Sequence, residues 1–153
     1  MRELEVATED FKILKRSMQQ VNIFSKLSTG ELDEVCREMV LYQYDPKEII
    51  IKQGAQGERF FIMQSGRVDV SIKSGMFSKS KVVAALGAGD CFGEMALFTR
   101  SKRNATVTAV GMTRTFVLSY GDFKQFLKKN VGLKHQVIEI AKDRKLTNRL
   151  RGV

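Results

Sequence analysis

The chain has 153 residues, of which 43% are hydrophobic and 28% charged, and its formal net charge is +9 at pH 7. This length suits one domain, and this composition argues against a disordered chain, a collagen-like repeat and a small disulfide-stapled fold. Since no apolar stretch is long enough to span a membrane and the N-terminus is too acidic for a signal peptide, we expect a single cytoplasmic domain over residues 1–153.

Two helices are predicted before any strand. Leu14 and Met18 recur at helical spacing after Thr8, which is placed to cap the first helix. Ser28 and Glu31 have the spacing of a capping box, in which each side chain accepts a hydrogen bond from the other residue's backbone N–H. The second helix is therefore predicted to begin at this pair.

After the second helix the pattern changes to short runs that are rich in β-branched and aromatic residues. The runs are VLYQY (40–44), EIIIK (48–52), RFFIMQ (59–64), RVDVSIK (67–73), KVVAAL (81–86), NATVTAV (104–110) and TRTFVLS (113–119). Glycine-containing turns separate them, and seven or eight such strands predict a sandwich, jelly roll or barrel. Because strands and helices do not alternate here, a doubly wound parallel sheet is disfavoured.

Helical signals return near the C-terminus, where Asp122 is placed to cap one helix. Leu133 and Val137 lie on one side of a second helix, whereas Leu146 and Leu150 fall nearer its opposite side. Either the end frays in solvent, or its final turns pack on a partner chain or on the body's own pocket. Three parts are thus expected: N-terminal helices over about 8–39, a β-region over about 40–120 and C-terminal helices over about 122–150.

The basic charge is concentrated at the C-terminus. Residues 123–153 hold nine Lys and Arg against two acidic residues, a net charge of +7. Such a segment attracts nucleic-acid phosphates, but the 23 residues after Asn130 are too few for a helix-turn-helix domain, and no aromatic residues are interleaved for base stacking. We expect solvated surface or contact with an acidic partner, and no direct DNA binding.

Catalytic and metal-binding patterns are weak. Cys36 and Cys91 lack CxxC spacing and are predicted to be buried free thiols. The single histidine, His135, is expected to face solvent, whereas jelly-roll enzymes that hold a metal do so with several histidines. The serines of the β-region have no histidine partner there. We therefore expect neither a metal site nor an enzyme.

One stretch, FGEMALFTRSKRNATVTA (92–109), places an acid and a base nine residues apart. Glu and Arg at such a distance are in general more often solvated or mutually paired than part of a site. Arg103 can also offer a planar fork to two phosphate oxygens, and Glu94 can accept a hydrogen bond from a sugar hydroxyl. Gly93 lacks a Cβ and would let the backbone approach a ligand. This combination suits a singly charged cyclic phosphodiester fused to ribose.

The sequence "GAGDCFGEMAL", followed by a short loop and "RNATVTA", resembles the phosphate-binding cassette of the cyclic nucleotide-binding domain family. Three further segments are similar to that family: "NIFSKLSTGELDEVCREM", "EIIIKQGAQGERFFIMQSGRVDV" and "YGDFKQFLKKN". Together the segments cover roughly residues 20–145, which makes the likeness specific. The resemblance implies an eight-stranded jelly-roll-like β-roll, mainly β, with helices at both ends.

The resemblance also implies roles for individual residues: Arg103 on the cyclic phosphate, Glu94 on the ribose 2′-hydroxyl, nearby backbone amides around the phosphate, and 82–86 as an apolar wall. The implied cyclic nucleotide-binding residues are Phe92, Gly93, Glu94, Met95, Ala96, Arg103, Asn104 and Ala105. No metal is implied.

Two positions depart from the family pattern. Lys102 stands where a proline is frequent, which makes the loop before Arg103 less rigid. Asn104 stands where the family has Ala, Thr or Ser, so the choice between cAMP and cGMP stays open, with cAMP favoured by family precedent.

We interpret the chain as a non-catalytic cyclic nucleotide sensor that signals through its C-terminal helices to an effector protein. Our hypothesis is that Leu133, Val137 and nearby apolar groups close over the purine. The alternative is a degenerate fold that serves as a protein- or nucleic-acid-interaction module without a ligand. The oligomeric state is left open.

Overall fold

The structure is a computed structural model that describes residues 1–21, 24–75, 78–97, 99–132, 134–135 and 138–139. In chain order its elements are β1 (Arg2–Leu4), α1 (Thr8–Gln19), α2 (Thr29–Glu38), β2 (Val40–Tyr44), β3 (Ile49–Ile51), β4 (Arg59–Ser65), β5 (Arg67–Ile72), β6 (Lys81–Gly87), β7 (Cys91–Phe92), a 3-10 helix (Glu94–Leu97), β8 (Thr106–Ala109), β9 (Thr113–Ser119) and α3 (Tyr120–Lys129).

The strands form two antiparallel sheets, with the orders β1-β2-β9-β4-β7 and β3-β8-β5-β6. The predicted fold class, a mainly β jelly-roll-like β-roll with flanking helices, is confirmed. The eight strands of the roll are β2 to β9, and β1 adds a ninth strand at a sheet edge, where Arg2 pairs with Gln43. The sequence did not predict β1, because three residues are too short to show an alternating pattern.

The first turn of α2 confirms the predicted capping box. The Glu31 backbone N–H donates to Ser28 Oγ at 3.2 Å, and the Ser28 N–H donates to Glu31 Oε1 at 3.0 Å. The first turn of α1 differs from the prediction, because Thr8 is already helical and Ala7 is the N-cap residue. There the Ala7 N–H donates to Asp10 Oδ2 at 2.9 Å, so the first turn is bonded through a carboxylate inside the helix and has no capping hydroxyl at Ala7.

The start of α3 also differs from the prediction. Ser119 is its N-cap, and the Ser119 hydroxyl accepts the Asp122 backbone N–H at 3.1 Å. Asp122 lies in the first turn, where its negative charge stabilises the helix dipole. Ser119, the last residue of β9, therefore caps α3 in place of the predicted Asp122.

The buried apolar residues form two clusters on opposite faces of β4. The helix-side core joins the three helices to the face of β4 that carries Phe60 and Ile62. The roll-side core lies inside the roll and consists of Ile51, Phe61, Met63, Val68, Val107 and Val117. Since successive side chains of a strand point to opposite faces, one strand supplies both cores.

Neither cysteine is in a disulfide bond, as predicted, but only Cys36 is buried, while Cys91 is half-buried. In the described part of the chain no helix combines the length and apolar character that crossing a membrane requires. Beyond α3, helical residues continue at 131, 132, 134, 135, 138 and 139, and His135 is exposed as predicted. The rest of the predicted last helix, including Leu133 and Val137, lies outside the described residues.

Candidate functional site

A cavity of about 480 Å³ opens beside the 3-10 helix, within the roughly 300–1,000 Å³ range of small-molecule sites. Its lining is Ile51, Val70, Phe92, Gly93, Glu94, Met95, Ala96, Ser101, Lys102, Arg103, Asn104, Ala105 and Val107. All eight residues predicted from the sequence are therefore brought to one cavity, although their contact with a ligand stays a prediction.

Glu94 is placed by a short strand, a glycine and a helical turn. Strand β7 pairs with β4 through Phe92 and Phe61, whose rings stack at 4.8 Å between centroids. Gly93 follows with a φ of +78°, a conformation that favours glycine, and turns the chain into the 3-10 helix. The buried side chain of Leu97 anchors that helix in the helix-side core, so the half-buried Glu94 is held at the cavity wall.

The backbone N–H groups that were predicted to surround a phosphate differ in whether they already have an acceptor within the protein. The Ala96 N–H donates to the Gly93 carbonyl oxygen at 3.1 Å, so this amide has an internal partner in the structure. For Asn104 and Ala105, no acceptor among the described residues bonds the backbone N–H. These two amides border the cavity and are the better candidates for an anion.

Arg103 is a half-buried cation held by backbone oxygens. Its guanidinium donates from Nη1 to the Gly93 carbonyl at 3.4 Å and from Nη2 to the Arg59 carbonyl. Burial lowers the pKa of Arg103 below its usual value, but a guanidinium remains protonated at neutral pH. Among the described residues no carboxylate forms an ion pair with it. Arg103 therefore brings a positive charge to the cavity without a described counter-ion.

Two glycines flank the Arg103 guanidinium. A Cβ at Gly93 would lie 2.8 Å from Arg103 Nη1, and one at Gly57 would lie 3.0 Å from Arg103 Nε. The missing side chain of Gly93 thus makes room for the arginine, in addition to the predicted close approach of the backbone to a ligand. Gly57 was not predicted as a site residue, although the sequence "GAQG" around it was part of the family resemblance.

The loop that contains Gly57 is bonded to the segment that carries Arg103. The Gly57 N–H donates to the Ser101 carbonyl at 2.8 Å, the Arg103 N–H to the Ala55 carbonyl at 2.7 Å, and the Gly54 N–H to the Arg103 carbonyl at 2.8 Å. These bonds fix the backbone of Arg103 on both sides. Sequence reasoning missed this support because the two segments are more than 40 residues apart.

The apolar wall differs from the prediction. Val82 and Val83 are 57% and 52% exposed, and none of residues 82–86 lines the cavity. Strand β6 lies at the edge of its sheet, which explains why Val82 and Val83 are not enclosed. Ile51, Val70 and Val107 form the apolar part of the lining instead. Lys102 and Ser101 also border the cavity and were not predicted as site residues.

The site therefore combines two cationic side chains, Lys102 and Arg103, with one carboxylate, unbonded backbone N–H groups and an apolar wall. A cation and amides suit a small anion, and a carboxylate suits a neighbouring hydroxyl group. Among the described residues no cluster of three or more His, Cys, Asp or Glu side chains is placed to hold a metal ion.

Comparison with known proteins gives a consistent result. Residues 41–130 match the sequence model of the family described as Cyclic nucleotide-binding domain. A cAMP-dependent protein kinase regulatory subunit of Mycosarcoma maydis is 34% identical over 66% of this chain and 19% of its own length. A cGMP-dependent protein kinase of Toxoplasma gondii is 33% identical over 69% of this chain and 10% of its own length.

A solved structure agrees with these relatives. The regulatory domain of Toxoplasma gondii PKA, crystallised with cAMP, superposes with a TM-score of 0.71 and 29% identity. The superposition covers 82% of this chain and 48% of that one. The chain therefore spans less than half the length of each of these three proteins.

Proposed function

The chain belongs to the cyclic nucleotide-binding domain family, and on that premise we propose that it is a non-catalytic regulatory module that binds a cyclic purine nucleotide. The observation that carries the proposal is that Arg103 is half-buried, lines the cavity and has no ion-pair partner among the described residues. A charge removed from water is costly unless it is paired, so an anionic ligand stabilises this arrangement. A cyclic phosphodiester carries one negative charge, which suits the net positive charge left by two cations, Lys102 and Arg103, and one carboxylate, Glu94.

Each part of the lining has a proposed role. Arg103 and the amides of Asn104 and Ala105 hold the phosphate oxygens, because a guanidinium fork and adjacent N–H groups suit a tetrahedral anion. Glu94 accepts a hydrogen bond from the ribose 2′-hydroxyl. The apolar wall contributed by Val70 and its neighbours covers the flat faces of the purine. Phe92, Gly93, Met95 and Ala96 complete the proposed binding set.

We propose cAMP over cGMP as the preferred ligand. The Toxoplasma gondii regulatory domain that superposes on this chain was crystallised with cAMP, although a cGMP-dependent kinase matches it with similar identity. Asn104 stands beside Arg103 at the cavity and can both donate and accept hydrogen bonds. Parallel titration with both nucleotides decides between them.

Beyond binding, we propose that the domain works as a conformational switch that acts on a partner protein. A ligand shifts a conformational equilibrium only if it binds one arrangement better than the other. We propose that phosphate contact orders the segment 93–105 and moves the C-terminal helices, which then contact an effector protein. Hydrogen–deuterium exchange over residues 120–139, with and without nucleotide, should show a change in protection. Unchanged protection at saturation removes the switch while leaving binding intact.

The first test of the binding proposal is native mass spectrometry of the protein as purified. We expect a mass increment equal to one cyclic nucleotide, or its appearance on adding cAMP or cGMP at a concentration near that of the protein. Linear 5′-AMP is the matched control ligand, since its phosphate carries a second charge and lacks the ring. Equal retention of 5′-AMP would argue against a site built for a cyclic phosphodiester.

A second candidate rests on the net charge of +7 over residues 123–153. In this alternative the fold binds no nucleotide and uses its basic segment to contact nucleic acid. The affinity for duplex DNA should then fall steeply as salt rises, because bound cations are released from the phosphates. A flat salt dependence, or no binding, excludes it.

A further inference from the structure

Arg100 lies next to the cavity but does not line it, and its backbone is unusual. Its φ is +48°, in the left-handed region that residues other than glycine seldom adopt. The conformation costs free energy, so surrounding contacts must hold it. A glycine at this position would avoid that cost, which indicates that the arginine side chain itself has a role.

The Arg100 side chain makes two contacts with other parts of the chain. Its guanidinium forms an ion pair with the Glu58 carboxylate. It also lies over the ring of Tyr120, 5.4 Å from the centroid, in the geometry of a cation–π contact. Tyr120 is the first residue of α3, and its backbone N–H donates to the Glu58 carbonyl at 2.8 Å. Arg100, Glu58 and Tyr120 thus form one connected group, here named the latch.

The latch is joined to the Arg103 site through the tripeptide that contains Glu58. On one side of Glu58, Gly57 packs against the Arg103 guanidinium. On the other side, the Arg59 carbonyl accepts a hydrogen bond from that guanidinium. Three consecutive residues therefore contact the proposed phosphate-binding arginine and the start of α3 at the same time.

We propose that Arg100 is a positioning residue that couples the position of Arg103 to the start of α3 through Glu58 and Tyr120. The inference rests on the proposed function and names the route by which the site acts on the helix. When the guanidinium turns from the Arg59 carbonyl towards an anion, that carbonyl loses a donor and the 57–59 segment must adjust. Because Glu58 holds both Arg100 and the Tyr120 amide, the adjustment reaches the first turn of α3. The latch is a physical connection, which a claim of coupling requires.

The test is hydrogen–deuterium exchange on Arg100→Gly, a variant that suits the left-handed backbone and removes only the side chain. In protein without nucleotide we expect exchange to rise by about two- to five-fold at both 101–103 and 120–123, the size expected for an exposed ion pair. Arg100→Lys keeps the charge opposite Glu58 and should restore most of the protection. Lys47→Gly is the matched control, because Lys47 also has a positive φ, +71°, and stands outside the latch.

A second arm adds cAMP at saturation, or cGMP if only cGMP binds, and separates this inference from the proposed function. In the wild type, nucleotide should change exchange at 99–105 and at 120–126, whereas in Arg100→Gly it should change only the former. If the wild type binds neither cAMP nor cGMP, the proposed function fails. The exchange measurement without nucleotide still tests whether the latch couples Arg100 to the start of α3. The latch is overturned if Arg100→Gly leaves exchange at 120–123 equal to that of the wild type, or if nucleotide still changes 120–126 in this variant.

Discussion

The two faces of strand β4 have different tasks. Phe60 and Ile62 point into the helix-side core, where both are fully buried among the helices. Phe61 and Met63 point into the roll-side core, which continues through Ile51 and Val107 to the wall of the cavity. The helix-side core is closed and serves stability, while the roll-side core leaves part of its wall to a site. A single alternating strand separates stability from recognition.

The largest expected effect is a loss of stability when a side chain of the helix-side core is removed. Phe60→Ala removes a fully buried ring and should lower the free energy of unfolding by about 3–5 kcal/mol. Val70→Ala, in the half-buried cavity wall, should cost only about 1 kcal/mol because less apolar surface is lost. Urea denaturation of both variants measures the difference. If both variants lost the same free energy of unfolding, the helix-side core and the cavity wall would not differ in their contribution to stability.

An effect of intermediate size is expected on nucleotide affinity when Arg103 is replaced. Arg103→Lys should weaken binding of the cyclic nucleotide by about 1.5–3 kcal/mol, since an ammonium cannot reproduce the two-pronged geometry of a guanidinium. Calorimetry measures the affinity, and Arg67→Lys, an exposed arginine paired with Asp69, is the matched control. Wild-type affinity in Arg103→Lys would contradict the proposed role of Arg103.

A smaller effect is expected from the glycine that packs against Arg103. Gly93→Ala carries the cost of a positive φ, about 1 kcal/mol, and also pushes on the guanidinium. Gly89→Ala has a similar φ, +88°, but its added Cβ meets only Ser17 Oγ at 3.9 Å. Gly93→Ala should lose more stability than Gly89→Ala, measured by thermal unfolding, because its added Cβ would also lie 3.0 Å from the Arg59 carbonyl oxygen, and only Gly93→Ala should lose nucleotide affinity. If both keep wild-type affinity, the packing of Gly93 on Arg103 has no bearing on binding.

The smallest effect concerns the thiol of the helix-side core. Burial raises the pKa of Cys36 from 9.0 to about 11, so its neutral form is favoured in the folded state. This contribution to stability is complete below pH 9 and is lost as the pH rises through 11. Folded protein at pH 8 should therefore react with a thiol reagent at the half-buried Cys91 well before Cys36. Peptide mapping after brief labelling checks this, and faster labelling of Cys36 would show that the helix-side core opens readily.

The sequence predicted regular features better than contacts between distant segments. The alternation of apolar residues and the Ser28–Glu31 capping box were read correctly because both are local. Strands β1 and β7 were missed, since three and two residues show no period.

The site was predicted only in part for the same reason. The residues on either side of Arg103 are adjacent in sequence, whereas the support from Gly57 and the Arg59 carbonyl depends on tertiary structure. The apolar wall was misplaced because Val82 and Val83 look like core residues in sequence, and only the sheet order shows that their strand is an edge.

The most direct test of the binding claim is calorimetric titration of the wild-type chain with cAMP and with cGMP at physiological salt. We expect saturable binding of one nucleotide per chain for at least one of the two, and much weaker binding of linear 5′-AMP. The absence of heat and of a shift in thermal unfolding for both cyclic nucleotides, in protein shown by mass spectrometry to carry no ligand already, would contradict the binding claim.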